Sequence, residues 1–215
     1  MNKTKKLLLL GLCLLLAFGV FTILVKTVDV KAIGPENSQV GFAGVNGWFR
    51  EQVGHHPAIY ELSEKFGYGV LMVAAAMAML AFAQVLKNKS LKIERELLWL
   101  VALYAVVVAC YVGFEFLVIN YRPVLMEGEL EASYPSSHTL LATCIMGSVL
   151  IYLKKKIPCG RCRRVPSLLA TILMVAVVAG RAASGVHWIT DIFASLLLSG
   201  GLLALYAAAI EKEER

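Results

Sequence analysis

Six long apolar runs divide the chain, at residues 7–25, 67–86, 97–119, 138–153, 166–186 and 188–210. Crossing about 30 Å of hydrocarbon takes about 20 apolar residues in a helix. The pattern therefore predicts an all-α, polytopic membrane protein with six transmembrane helices in one domain, 1–215. The fourth run is short. The fifth reaches full length only by including Arg181, so polar chemistry is expected below the membrane surface there. Between the first two runs lies a polar stretch, 26–66. It places Phe42, Val45 and Phe49, and then Ile59, Leu62 and Phe66, at helical spacing. Trp48 and Tyr60 suit the interface between membrane and water. This stretch is expected to cap the bundle from outside, with a lid or a gate for lipid as the sharper reading.

Composition supports the membrane reading. The chain is 59% hydrophobic, with a mean hydropathy of +0.71, which excludes an ordinary soluble domain. A net charge of +6 could suit nucleic acid, but its distribution points elsewhere. Alternation of the six runs gathers "MNKTKK", "KNKSLKIERE", "KKKIPCGRCRR" and "EKEER" on one side, with 15 of the 21 Lys and Arg residues. By the positive-inside rule that side is cytoplasmic, with both termini, and the partners are membrane lipids rather than nucleic acid. The basic leader resembles a signal peptide. However, its apolar core is long and no A-x-A site follows, so an uncleaved first helix is expected. Cys13, Cys110 and Cys144 read as packing residues. Cys159 and Cys162 form a single "CGRC", a weak metal or redox signal. Adjacent His55 and His56 point in different directions on a helix and make a poor metal pair.

The chemistry gathers on the outer side. In "RAASGVHWITD", His187 and Asp191 stand four apart, and a helix starting near His187 would put both on one face. A carboxylate there fixes the imidazole tautomer and makes the other ring nitrogen a better nucleophile or base. Arg181 offers a planar cationic fork suited to phosphate. In "YPSSHTLL", Ser136 and Ser137 begin a helix whose free N–H groups suit an anion, and His138 could protonate a leaving oxygen. Arg122 precedes Pro123 at the outer end of the third run. Glu115, seven residues earlier, would share its helical face. Two arginines, two histidines, serines at a helix start and an orienting aspartate make a site for a phosphate ester or anhydride. The bland alternative is an Arg181–Asp191 ion pair beside a bystander histidine, with the serines as simple caps.

These residues resemble the motifs of the type 2 phosphatidic acid phosphatase superfamily of integral membrane enzymes. The family pattern is KxxxxxxRP, PSGH and SRxxxxxHxxxD. Its counterparts here are "EFLVINYRP", "PSSH" and "GRAASGVHWITD", from residue 115 to 191. The resemblance implies that His187 attacks phosphorus and forms a phosphohistidine, that Asp191 orients it, and that His138 protonates the leaving group. Arg122, Arg181, Ser136 and the backbone near Ser137 would hold the phosphoryl oxygens, with no metal or other cofactor. The expected substrate is a lipid phosphate or pyrophosphate, such as a polyprenyl diphosphate, phosphatidate or phosphatidylglycerol phosphate, handled on the extracytoplasmic side. A lipid phosphotransferase using the same site, or a degenerate lipid-binding member, are the rivals. The oligomeric state is left open.

Three positions depart from the pattern. Gly180 stands for serine, Ser137 for glycine, and Glu115 for lysine. The last exchanges a cation for an anion. Glu115 is expected first to pair with Arg122 or Arg181, next to meet a cationic substrate group, and last to mark an altered enzyme. The acidic loop carrying Glu127, Glu129 and Glu131 is expected to be solvated.

Overall fold

The structure is a computed structural model that describes residues 1–88 and 94–211. Residues 89–93 and 212–215, which carry part of the charge pattern above, lie outside the described residues. Among the described residues seven α-helices follow in order: α1 (Lys3–Thr27), α2 (Ala43–Val53), α3 (Pro57–Asn88), α4 (Arg95–Phe116), α5 (Ser137–Lys156), α6 (Gly160–Ala183) and α7 (Ile189–Glu211). All but α2 are long and apolar enough to span a membrane, and the protein is a multi-pass, all-helical membrane protein.

Burial sorts the six long helices. About half of α5 and of α7 is buried (50% and 56% of their most apolar stretches), against 11–22% for the others. α5 and α7 therefore form the centre, and α1, α3, α4 and α6 present most of their side chains outward. Leu140, Ile145 and Met146 of α5 pack with Leu97, Leu100 and Val107 of α4, Val177 of α6 and Leu198 of α7. Lys3 pairs with Glu211 at 2.6 Å, so the start of α1 and the end of α7 share one end of the bundle. Lys156 binds Glu94 and Glu96 at 2.9 and 3.2 Å, tying the end of α5 to the start of α4.

Several boundaries differ from the sequence pattern. α4 stops at Phe116, with Leu117 as its C-cap, well before Pro123. The helical face expected to join Glu115 to Arg122 therefore does not exist. α6 ends at Ala183 and α7 starts at Ile189, so His187 stands in the connection between them rather than on a helix. The stretch with Ile59, Leu62 and Phe66 is the first part of α3, not a separate interfacial helix. Its apolar side also faces the other way: Leu62 and Phe66 are exposed, while Ser63 is buried. A helix in lipid gains nothing by hiding its apolar face, and its polar residues turn to the protein interior. α2 behaves alike, exposing Val45 and Trp48 and burying Asn46.

Gly180 is set by this packing. A Cβ there would lie 2.7 Å from Cβ of Ser63, so α3 and α6 approach too closely for the serine of the family pattern. Gly180→Ser is expected to destabilise the protein by ~1–3 kcal/mol, the usual cost of overpacking. In a Ser63→Gly background the same substitution should cost under ~0.5 kcal/mol. Thermal unfolding in detergent measures both.

Candidate active site

The site is held by loops tied down through backbone hydrogen bonds. After α4 the chain turns back in a short antiparallel ladder, bridging Tyr121 to Ala132 and Met126 to Glu129. Its tip, Glu127 and Gly128, has positive φ at both residues (52° and 88°), the geometry of a tight hairpin turn. The acidic loop is folded, and Glu127, Glu129 and Glu131 are all exposed on it, as expected. It sets Arg122 opposite Glu131: the Arg122 N–H donates to the Glu131 carbonyl at 2.9 Å, and Arg122 Nε lies 3.1 Å from Oε2 of Glu131. Tyr134 roots the loop below, sharing a 2.7 Å hydrogen bond with Thr22 and packing on Phe18 and Phe114.

The α6–α7 connection is held from three directions. Arg50 of α2 donates from Nη1 to the carbonyls of Pro123 (2.7 Å) and Gly185 (3.2 Å), clamping both loops together. Asn46, one turn earlier, bonds Thr190 through Nδ2 at 3.0 Å and accepts the Thr190 N–H at 3.3 Å. Trp188 Nε1 donates to the Tyr121 carbonyl at 2.7 Å. Neither Asn46 nor Arg50 stood out in the sequence. Their signal was the spacing of four that puts them on one face of α2, away from Val45 and Trp48.

His187 and Asp191 are both almost fully buried, with Nδ1 of His187 3.6 Å from Oδ2 of Asp191. The contact is longer than a hydrogen bond. Asp191 is itself fixed: Oδ2 accepts the Trp188 N–H at 2.9 Å, and Oδ1 accepts from Asn120 Nδ2 at 3.4 Å. The pair therefore meets through a capped helix start rather than along one helical face. Burial, reinforced by Arg122 and Arg181 and opposed by the backbone of Ser133, holds the His187 pKa well below the ordinary histidine range. His187 is therefore neutral at neutral pH, with a lone pair free.

Arg181 is wholly buried. Its Nη2 donates to Oε1 of Glu64 on α3 at 3.0 Å, and its guanidinium lies 4.8 Å from the centre of the Tyr60 ring. His138 Nε2 lies 3.4 Å from the same Glu64 oxygen. Ser136 is buried and engaged: its hydroxyl donates to Thr139 at 3.0 Å, its N–H to the Asp191 carbonyl at 3.2 Å, and its carbonyl accepts from Ser195 at 2.8 Å. It joins α5 to α7, leaving the N–H groups at the α5 start as the donors available there. Ser137 lines a narrow crevice with Glu115, Ser133, Tyr134 and His187. Its free volume is about 10 Å³, room for about one water.

Seven buried nitrogens in this region make no well-aligned hydrogen bond within the protein: Nε and Nη1 of Arg122, Nε and Nη1 of Arg181, Nδ1 of His138, and both ring nitrogens of His187, although Nε of Arg122 keeps its ion-pair contact with Glu131. Buried donors are rarely left this way unless a site needs them. The structure thus gathers Arg122, Arg181, His138, His187 and Asp191 at one end of the bundle, with Ser136 and Ser137 at the edge. The expected pairing of Glu115 is corrected, because Glu131 takes Arg122 and Glu64 takes Arg181. Glu115 lies exposed at the mouth of the crevice. Cys159 caps α6, accepting the Cys162 N–H through Sγ at 3.4 Å, and both thiols are free and exposed. Among the described residues no group of three or more His, Cys, Asp or Glu side chains is arranged to hold a metal ion.

No curated protein matches the sequence. The overall fold is similar to a crystal structure described as the first transmembrane PAP2 type phosphatidylglycerolphosphate phosphatase, from Bacillus subtilis. The TM-score is 0.66 at 17% identity, over 95% of this chain and 98% of that one. At that identity the likeness speaks for the fold. The model of the PAP2 superfamily matches residues 115–215, the stretch that carries Arg122, His138, Arg181, His187 and Asp191. Through that stretch, a little under half of its length, the chain is similar to the PAP2 superfamily.

Proposed function

We propose that the protein is a membrane phosphatase that hydrolyses a lipid phosphate or pyrophosphate through a phosphohistidine on His187. The observation that carries this reading is the gathering of buried nitrogens from two arginines and two histidines that make no hydrogen bond within the protein. Such an array costs stability unless an anion completes it, and a tetrahedral phosphoryl group has the oxygens to do so. The match of residues 115–215 to the PAP2 superfamily supports phosphate hydrolysis. The lipid substrate follows from a site at the ends of membrane helices and from what the similar solved protein is described as acting on.

His187 Nε2 forms a bond to phosphorus while the ester or anhydride P–O bond breaks and its electron pair leaves on oxygen. His138 gives that oxygen a proton. Asp191, held by Trp188 and Asn120, faces Nδ1 and balances the charge that grows on the imidazole. Arg122, Arg181 and the first N–H groups of α5 hold the phosphoryl oxygens. In the second half, His138 takes a proton from water, the water oxygen attacks phosphorus, the N–P bond breaks, and phosphate leaves. The crevice must widen to admit a phosphoryl group. Its exposed edge, with Glu115 and Ser137, is where it can do so. The basic loops put the opposite end of the bundle in the cytoplasm, so this reading has both termini inside and the site extracytoplasmic. The chain acts as one unit, since α2 and α3 hold residues of the C-terminal half.

Purified protein in detergent is expected to release phosphate from at least one of phosphatidate, phosphatidylglycerol phosphate, lysophosphatidate and a polyprenyl diphosphate. His187→Ala should abolish it, and Asp191→Asn should lower kcat by about 100-fold or more. Folded wild-type protein that releases no phosphate from any of them, or His187→Ala protein that stays active, would overturn the proposal.

A further inference from the structure

Glu64 faces the phosphate cradle yet has no part in the chemistry above. Its Oε1 lies 3.0 Å from Arg181 Nη2 and 3.4 Å from His138 Nε2. One turn before it on α3, Tyr60 lies against the Arg181 guanidinium. Nearly one turn beyond, Gly67 leaves room for the His138 ring, since a Cβ there would stand 3.1 Å from Cδ2. One face of α3 thus meets both the arginine and the imidazole. The edge of His138 turned to α3 is the Cδ2–Nε2 edge, while Nδ1 is buried and without a partner in the protein.

We infer that Glu64 is a positioning residue for the proton transfer: its carboxylate accepts from Nε2 of His138 and Nη2 of Arg181, so that His138 presents Nδ1 to the leaving oxygen. This rests on the phosphatase reading. With the Nε2 proton held by Glu64, the proton given away is the one on Nδ1. As the His187–phosphorus bond forms and the P–O bond breaks, the leaving oxygen takes that proton and His138 becomes neutral with Nε2–H still on Glu64. Neutral His138 then recovers a proton at Nδ1 from the attacking water. Glu64 stays ionised throughout, and the same oxygen keeps Arg181 in register with the acid. None of the three sequence motifs contains this residue.

The test compares two leaving groups in the full-length protein. Phosphatidate expels an alkoxide that needs a proton, whereas p-nitrophenyl phosphate expels a stabilised anion that hardly needs one. Glu64→Gln is expected to lower kcat on phosphatidate about tenfold or more beyond its loss on the aryl phosphate. Glu64→Asp should recover part of that bias. His138→Gln should show the same bias, and adding Glu64→Gln to it should cost less than about twofold more. Equal losses on both substrates would overturn the inference, leaving Glu64 as a partner of Arg181 alone. A gain in activity would also overturn it, because the carboxylate would then be competing with phosphate. If Glu64→Gln fails to fold, Glu64→Asp carries the same comparison, and absence of a leaving-group bias there counts against the inference. If phosphatidate is not hydrolysed, phosphatidylglycerol phosphate or lysophosphatidate, which also expel alkoxides, takes its place; wild-type protein inactive on every lipid of the panel above would sink the phosphatase reading and the inference with it.

Discussion

A guanidinium buried completely at the end of an apolar helix has to be balanced, and Arg181 is balanced only in part. One nitrogen meets Glu64, the ring of Tyr60 covers a face, and two nitrogens are left without partners. Uncompensated charge in low dielectric costs several kcal/mol, so the surroundings of Arg181 cannot be accidental packing. α3 must come close enough to deliver Glu64, which requires Gly180 and Ser63 at the crossing. The α6–α7 connection must be fixed so that His187 and Arg122 share the same pocket, which requires Arg50, Asn46 and Trp188. On the proposed reading, a phosphoryl group is the partner that satisfies these nitrogens.

The same constraint explains how the molecule divides its work. The centre, α5 and α7, supplies His138 and Asp191 on rigid, buried helices, laced together by Ser136 and Ser195. The two loops supply Arg122 and His187, and each is over-determined by hydrogen bonds to backbone carbonyls. The outer helices α2 and α3 add no residue to the sequence motifs. They hold the loops and complete the charge balance. Preorganisation of this kind lets fixed dipoles and charges stabilise a transition state without reorganising.

The sequence was most legible where physics acts locally. Six apolar runs of membrane length and the short-range order of Arg181, His187 and Asp191 follow from spacing alone, and the helices lie close to where the runs do. Boundaries were less legible, because the connection at His187 is held by tertiary hydrogen bonds from Arg50, Asn46 and Trp188. Glu64 was missed for a definite reason. Ile59, Leu62 and Phe66 looked like the packing face of a capping helix, as they would be in water. In lipid the relation inverts, and the polar face with Tyr60, Ser63 and Glu64 turns inward. Glu115 misled for a related reason: its spacing to Arg122 means something only on a continuous helix, and that helix ends at Phe116.

The central claim is that this end of the bundle is a phosphoryl cradle with His187 as nucleophile, and trapping the intermediate tests it most directly. Wild-type protein mixed with phosphatidate labelled with radioactive phosphorus would be quenched within the first turnover under alkaline denaturing conditions, which preserve phosphohistidine. The account predicts acid-labile label on the peptide containing His187. Turnover with no label on the protein, or with label on another residue, would contradict it.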